Sequence, residues 1–299
     1  MTIPPRPIDI LAFLSGEGLT IPALKIVDVG AMDVGEQEPW TRLVTSGTAS
    51  LIGFEPNPVE CEKLNRSGRA NCHFLPHALG DGNPQTLYIG KESMTSSLFP
   101  PDPEIMQRFH SLWELCETVG EEQLETRRLD DIPDAQPADF LKLDVQGAEL
   151  MVLEGGPETM RDALAVQTEV NFLPIYKDQA LFADVDINLR GHGLSFHTMV
   201  GVGSRPYRPL IKDANPNRGF AQVIWSNALY FRDPAQFPEL AQMRPEALLK
   251  IAILAHELYG AFDFAAVALQ HFGAAHKQGL ATGYIRALMA ADPTITARK

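Results

Sequence analysis

Two short apolar runs, each ending in residues that halt a strand, constrain this chain most. Leu24 to Val29 (LKIVDV) runs into Gly30, and Leu51 to Phe54 (LIGF) runs into Glu55 and Pro56. Continuous apolar runs of this length suit strands buried on both faces. Between them, Glu36 to Gly47 holds Trp40, Leu43 and Val44 at helical spacing, long enough for the crossover that parallel strands need. A βαβ unit follows, and with it an open sheet whose ligands gather beyond the carboxyl ends of its strands.

The alternation continues along the chain. Pro58 to Ser67 reads as helix, Cys72 to Leu75 as strand, Asp81 to Pro84 as a turn and Thr86 to Ile89 as strand. Asp139 to Leu143 reads as a central strand, followed by a helix over Glu149 to Leu153 that stops at Gly155, Gly156 and Pro157. Leu164 to Val170, Leu194 to Val200 and Ala221 to Phe231 read as further strands, with a helix over Asp184 to Arg190. The fold class expected is α/β, a doubly wound, Rossmann-like sheet.

After Pro234 the pattern becomes purely helical. Leu248, Ile251, Leu254, Ala255 and Leu258 mark one amphipathic helix over Glu246 to Tyr259, and Phe264, Val267, Ala268 and Phe272 a second over Asp263 to Phe272. Leu280 to Met289 adds a third. The organisation expected is an N-terminal segment (1–23), a main domain (24–233) and a C-terminal helical module (234–299). The helix pair faintly resembles one tetratricopeptide-type repeat, but no second copy follows. It reads as a capping or dimerising element, which makes a homodimer the expected assembly.

Composition excludes several function classes. A net charge of −13 repels phosphate backbones, and no run of Lys or Arg reverses that sign locally, so nucleic acid is not expected as a partner. No apolar stretch approaches the roughly 18 residues of a membrane span, and Met1 to Pro7 lacks the pattern of a secretory signal. Cys61, Cys72 and Cys116 have neither CxxC nor zinc-ligand spacing, which suits reduced thiols and a cytoplasmic location.

The chemistry lies at the strand ends. Asp28, Gly30, Ala31, Asp33 and Gly35 surround the first turn, where glycine allows a close ligand approach and the carboxylates favour a cation. The GxGxxG spacing of a dinucleotide site is missing. Glu55, with Pro56 and Asn57 after it, ends the second strand, where a carboxylate can accept from both ribose hydroxyls of an adenosine. Asp144 ends the central strand and Glu169 a neighbouring one.

Residues Phe140 to Gly155 read FLKLDVQGAELMVLEG, and here the chain resembles the FkbM family of methyltransferases. The family's Lys-x-Asp-Val-x-Gly-x-Glu and Leu-x-Gly pattern is met by Lys142, Asp144, Val145, Gly147, Glu149, Leu153 and Gly155. Gln146 stands where many members have Glu, and Met32 where Asn is common. The resemblance extends to Asp28–Ala31, Phe54-Glu55-Pro56, His77–Gly80 and Gln167–Val170. It implies a mostly parallel methyltransferase sheet with an antiparallel last strand, and S-adenosylmethionine as cofactor, with S-adenosylhomocysteine as product. It also implies that Asp28 and Gly30 hold the methionine end, Glu55 the ribose, and Ala78 with Asp81 the adenine edge. Asp144, beside Gln146, would face the sulfonium.

Methyl transfer to a hydroxyl then requires a positioned acceptor and a proton acceptor. Asp144, Glu169 and His77 lead the candidate bases, with Glu149, His192 and His197 behind them. For Glu149 the competing reading is a first-turn helix carboxylate, for Asp144 a helix cap, and for the two histidines a structural role. Asp144, Glu169 and Asn171 also form an alternative magnesium set, which is not the preferred reading. The acceptor expected is a small molecule, sugar, glycan or polyketide-like product. Ser93 to Leu98 and Pro100 to Gly120 read as a lid or acceptor-recognition insertion, or else as a surface helix. Two other functions stay open, a nicotinamide-dependent oxidoreductase and a non-catalytic nucleoside-binding or interaction protein.

Overall fold

The computed structural model describes residues 6–32 and 38–297. Its strands are β1 (Leu24–Val29), β2 (Ala49–Phe54), β3 (Cys72–Leu75), β4 (Ala78–Leu79), β5 (Pro84–Gly90), β6 (Thr118–Arg127), β7 (Phe140–Leu143), β8 (Ala165–Asn171), β9 (Leu194–Gly203) and β10 (Trp225–Arg232). The main sheet has the order β3-β2-β1-β7-β8-β10-β9, and β4, β6 and β5 form a small second sheet. Neighbours from β3 through β8 pair in parallel. β10 runs antiparallel to both β8 and β9, because the chain turns back after β9 and inserts its last strand between them. This is the Rossmann-like arrangement with an antiparallel last strand that the sequence led us to expect.

Strict alternation along each central strand divides the core in two. Ile26, Phe140, Ala165 and Leu229 face one layer, while Val27, Leu141, Val166 and Tyr230 face the other. The second layer is filled by Val152, Leu153, Met160, Val185 and Leu189 from the crossover helices. The first is filled largely by the helices after Pro234: Pro245–Tyr259, Phe262–His276 and Leu280–Ala291. The helix Pro245–Tyr259 is buried at every position from Ala247 to Leu258 except Lys250, close to the state a helix apolar on nearly all sides must reach. These helices are a wall of the core as well as a C-terminal module.

Several elements differ from the sequence expectation. The last strand begins at Trp225 instead of Ala221, and the helix described before β2 covers only Thr41–Thr45. The earlier part of that expected helix, from Glu36, lies partly outside the described residues. A seven-residue helix, Ile10–Gly16, was not anticipated; Asp9 caps it, and only Ile10 and Leu14 are buried, too few to show a period. β6 was also missed: in TVGEEQLETR one face is exposed throughout, and the other, partly covered at Thr118, Gly120 and Leu124 and buried at Thr126, is too polar to show a hydrophobic period. Its pairing with β5, not its own pattern, makes it a strand.

A buried ion cluster ties the N-terminal segment to this wall. Glu257, whose side chain is 1% exposed, receives Arg6 Nε at 2.9 Å and Arg42 Nη1 at 2.7 Å. A carboxylate this deep depends on both cations, while without it Arg42 would keep Asp9 and Arg6 the residue-257 carbonyl. Glu257→Ala should therefore destabilise the fold by about 1.5–3 kcal/mol, the range for hydrogen bonds to a charged group, seen as a lowered urea midpoint. An unchanged midpoint would show that the cluster is dispensable.

Candidate active site

The carboxyl edge of the main sheet is built around one ammonium group. β1 and β7 pair so that Asp28 and Lys142 are direct neighbours on the same face. Lys142 Nζ lies 3.3 Å from Asp28 Oδ1, 3.7 Å from Asp144 Oδ2 and 3.5 Å from the carbonyl oxygen of Gly30. Burial opposes the charge on Lys142, but Asp28 and then Asp144 outweigh it and hold its pKa above the ordinary lysine value. Asp28 is 4% exposed; burial raises its pKa against the pull of Lys142, and among the described residues its Oδ1 has an ion pair but no hydrogen bond.

The first turn requires its glycine. Gly30 has φ +84, and a Cβ there would stand 2.0 Å from the carbonyl oxygen of Asp144. The N–H groups of Gly30 and Ala31 both donate to the Phe54 carbonyl, at 3.1 and 3.0 Å, locking the ends of β1 and β2 together. Glu55 follows directly, buried, with Oε1 accepting the Asn57 N–H at 2.8 Å. Burial raises its pKa and that hydrogen bond lowers it, with burial dominant. Asn57 Oδ1 caps the helix Pro58–Arg66, so its carbonyl end is already engaged, and Pro56 links it to Glu55.

The loop after β7 gathers the remaining acidic groups. Glu149, and not Asp144, serves the loop's backbone: its carboxylate accepts Val145 N–H at 2.9 Å and Gly147 N–H at 3.0 Å. Among the described residues no side chain caps the helix Glu149–Glu154, whose N-cap is Ala148, so Asp144 does not take the capping role considered for it. Asp144 is partly exposed and accepts Gln146 Nε2 at 3.0 Å. Gln146, at φ +54, also accepts from Tyr176 Oη at 3.0 Å, and its carbonyl accepts from Ser97 Oγ at 2.6 Å. Glu169 is 8% exposed, and burial, then the charges of Asp144 and Glu149, hold its pKa well above the usual carboxylate range. Beside it on β8, Asn171 has a buried Oδ1 with no partner among the described residues.

Other sequence-stated candidates fall elsewhere. His77 Nε2 lies 3.0 Å from Arg127 Nη1 on β6, and burial, then Arg127, lowers its pKa. Ala78 pairs with Thr126 in the small sheet. Asp81 is bound within its own turn by Asn83, Gln85 and Thr126, which brings its pKa to about 2. His192 ends the helix Phe182–Gly191, and His197 packs edge-on against Phe231 and Phe264, both structural positions. Asp33 and Gly35 lie outside the described residues.

The insertion proves to be a clamp, not a lone surface helix. Pro103–Met106 and Leu112–Cys116 are short helices, and Met106, Phe109, Leu112 and Cys116 share a separate small core with Ile175 and Tyr176. Asp102 N–H donates to the Ile175 carbonyl at 2.8 Å, holding the insertion to the loop after β8. Tyr176 had no sequence signal of its own, because only the fold brings it, with Ser97 from the expected insertion, to Gln146. Gly155 was legible in sequence, and its reason is now visible: a Cβ there would meet the Gly80 carbonyl at 2.4 Å. Among the described residues no group of three or more His, Cys, Asp or Glu is arranged to hold a metal ion.

Burial pushes the Glu149 carboxyl up to about 7 from an ordinary value of 4.5, against the backbone N–H groups that favour its charge. Between those two values the folded chain holds a proton that the unfolded chain has released, so this group's contribution to stability is present at low pH and lost as pH rises toward 7. Urea titrations of wild type and Glu149→Gln across that window should give a stability difference that shifts in the variant's favour with rising pH. A difference independent of pH would show that Glu149 does not titrate there.

Solved structures show only loose likeness. A magnesium protoporphyrin IX methyltransferase from Synechocystis PCC 6803 with bound SAM aligns at 12% identity and TM-score 0.36, covering 75% of this chain and 76% of that one. A protein of Thermoplasma acidophilum assigned as a methyltransferase aligns at 8% and 0.36, covering 74% of each chain. A 16S rRNA (adenine(1408)-N(1))-methyltransferase from Catenulisporales acidiphilia aligns at 9% and 0.32, covering 76% of this chain and 94% of that one. At these TM-scores the likeness supports no argument. No curated protein matches the sequence significantly. The methyltransferase FkbM domain, however, matches residues 28–196, more than half the chain and all the strand ends from Asp28 to Glu169. The chain belongs to the FkbM methyltransferase family.

Proposed function

We propose that this chain uses S-adenosylmethionine to methylate a hydroxyl group on a sugar, glycan or polyketide-like acceptor. The observation that carries the proposal is the acidic strand edge formed by Asp28, Glu55, Asp144 and Glu169 within the matched family region. Such an edge suits a sulfonium and a ribose diol, whereas a dinucleotide pyrophosphate would meet like charge. The residues present fit that ligand. Among the described residues Asp28 Oδ1 is buried with an ion pair to Lys142 but no hydrogen bond, and Glu55 uses only Oε1.

Asp28 and the Gly30–Ala31 turn would hold the methionine end, Glu55 with Pro56 and Asn57 the ribose, and Ala78 with the Asp81 turn the adenine edge. Asp144 and Gln146 would border the reacting centre. Bound there, S-adenosylmethionine supplies an electrophilic methyl group and a neutral thioether as leaving group. The chain's own task is to orient the acceptor hydroxyl and accept its proton. Asp144, partly exposed beside Lys142, is the preferred proton acceptor; Glu169, which burial and then the charges of Asp144 and Glu149 dispose to keep its proton, comes second and His77 third. No metal enters the proposal. Free Cys61, Cys72 and Cys116 support a reducing, cytoplasmic setting. Homodimerisation through the C-terminal helices is a secondary proposal, since their exposed large apolar side chains are the scattered Met243, Val267 and Met289.

Calorimetry with S-adenosylhomocysteine and with NAD separates this reading from an oxidoreductase, and binding of NAD alone would overturn it. Glu55→Ala should weaken S-adenosylhomocysteine binding by about 1.5–3 kcal/mol, the range for hydrogen bonds to a charged group. Unaltered affinity in a folded variant would remove Glu55 from the ribose site. Asp144→Asn should slow methyl transfer at least roughly tenfold, about 1.4 kcal/mol of barrier, with melting little changed. Near-normal turnover would leave the proton-accepting role to Glu169 or His77.

A further inference from the structure

The segment between β9 and β10 concentrates features that the site does not use. Tyr207, Leu210, Ile211 and Phe220 are 47%, 66%, 47% and 59% exposed, and Val202 at its start is 62% exposed. Exposed apolar groups scattered singly need no explanation, but a cluster on one segment marks an interaction surface. The same stretch carries Arg205, Arg208, Lys212 and Arg218 against one acid, Asp213, in a chain of net charge −13. Arg208 pairs with Glu114 and Arg218 with Asp213 in exposed pairs, while Lys212 has no ion pair among the described residues.

The segment is held, so its apolar side chains are presented and not merely loose. Arg208 N–H donates to the Arg108 carbonyl at 2.8 Å, and His110 N–H to the Pro206 carbonyl at 3.0 Å. The Phe109 and Tyr207 rings lie 4.3 Å apart, and the Arg205 guanidinium lies 5.1 Å from the Trp225 ring centre. The apolar tips stand on irregular backbone interrupted by Pro206, Pro209 and Pro216. That arrangement offers a protein partner neither a helix face nor a strand edge. At the base of the segment an open groove is lined by Phe172, Met199, Val202, Ala221 and Val223, with Gln222 and Ser226 as its polar members and no charged side chain. Phe172 follows Asn171 directly, so the groove begins where β8 leaves the candidate active site.

We propose that the segment 201–223 seats on an anionic lipid surface, its apolar tips entering the interface and its cations meeting the headgroups, with the groove receiving the hydrocarbon part of an amphiphilic acceptor. Apolar side chains interleaved with Lys and Arg are the combination that interfacial binding requires, and the chain's overall negative charge confines contact to this segment. The groove's occupant deepens the methyltransferase reading, whereas surface binding is independent of it.

Co-sedimentation of the full chain with vesicles of phosphatidylglycerol and phosphatidylcholine, against pure phosphatidylcholine, tests the inference. Binding should be at least tenfold stronger to the anionic vesicles and weaken as salt rises. The triple substitution Leu210→Ser, Ile211→Ser, Phe220→Ser, all at exposed positions, should reduce it at least tenfold without changing the melting temperature. Absence of binding, equal binding to both vesicle types, or an unaffected triple variant would overturn the inference. So would a wild-type dimer that the triple variant converts to monomer, since a second copy would then cover these side chains. S-adenosylhomocysteine calorimetry on the same preparation reads the methyltransferase assignment separately: vesicle binding without nucleoside binding would retain the surface and discard the assignment.

Discussion

The Lys142 ammonium is the interaction on which the functional edge of this protein depends. It sits between Asp28 and Asp144 at the ends of adjacent strands, close to the Gly30 carbonyl. Carboxylates on neighbouring strand ends repel one another, and burial adds a desolvation cost to each. A single buried cation offsets both effects and allows Asp28 to remain at 4% exposure. The strands could pair without it, but the acidic edge could not be this dense.

Around that centre the acidic groups divide their tasks. Glu149 is spent on the backbone of the 145–147 loop and so shapes it. Asp144 keeps partial exposure, and its carboxylate meets Gln146 and Lys142 among the described residues. Glu169 has no such backbone task, and the like charges of Asp144 and Glu149 raise its pKa beyond what burial alone would do. One loop therefore contains a structural carboxylate, an accessible one and a proton-retaining neighbour, distinguished by what each side chain touches.

The rest of the molecule supports this edge from both sides. The C-terminal helices pack on the face that carries Asp28 and Lys142, and Tyr259 Oη reaches Gln167 on β8 at 2.8 Å. Lys250 likewise holds Asp139 at the opposite end of β7, at 2.8 Å. The insertion between β5 and β6 closes over the loop after β8 from above, with Tyr176 linking it to Gln146. Contacts that span from 30 to 111 residues of sequence thereby brace the strands and the loop that carry Asp144 and Glu169.

What the sequence alone determined was the parallel sheet and the acidic ends of its strands. Runs such as LKIVDV, LIGF and FLKL are apolar at nearly every position because both faces are buried, and that signal is local. Glu55 and Asp144 were legible for the same reason, since a polar residue closing an apolar run must lie at the strand's end, and Asp28 by its place two residues before the Gly30 turn. The short family pattern from Lys142 to Gly155 was equally local, and the clash awaiting a Cβ at Gly155 explains its glycine. Tertiary structure alone decided which carboxylate serves the backbone, because Asp144 and Glu149 are equivalent until the loop's N–H groups have a direction. It alone made β6 a strand, since its partly covered face carries Thr, Gly and Glu with a single Leu and leaves no hydrophobic period to read. It also placed the helices after Pro234 in the sheet's core: their apolar faces show that they must be covered, and only the folded chain shows that the sheet covers them.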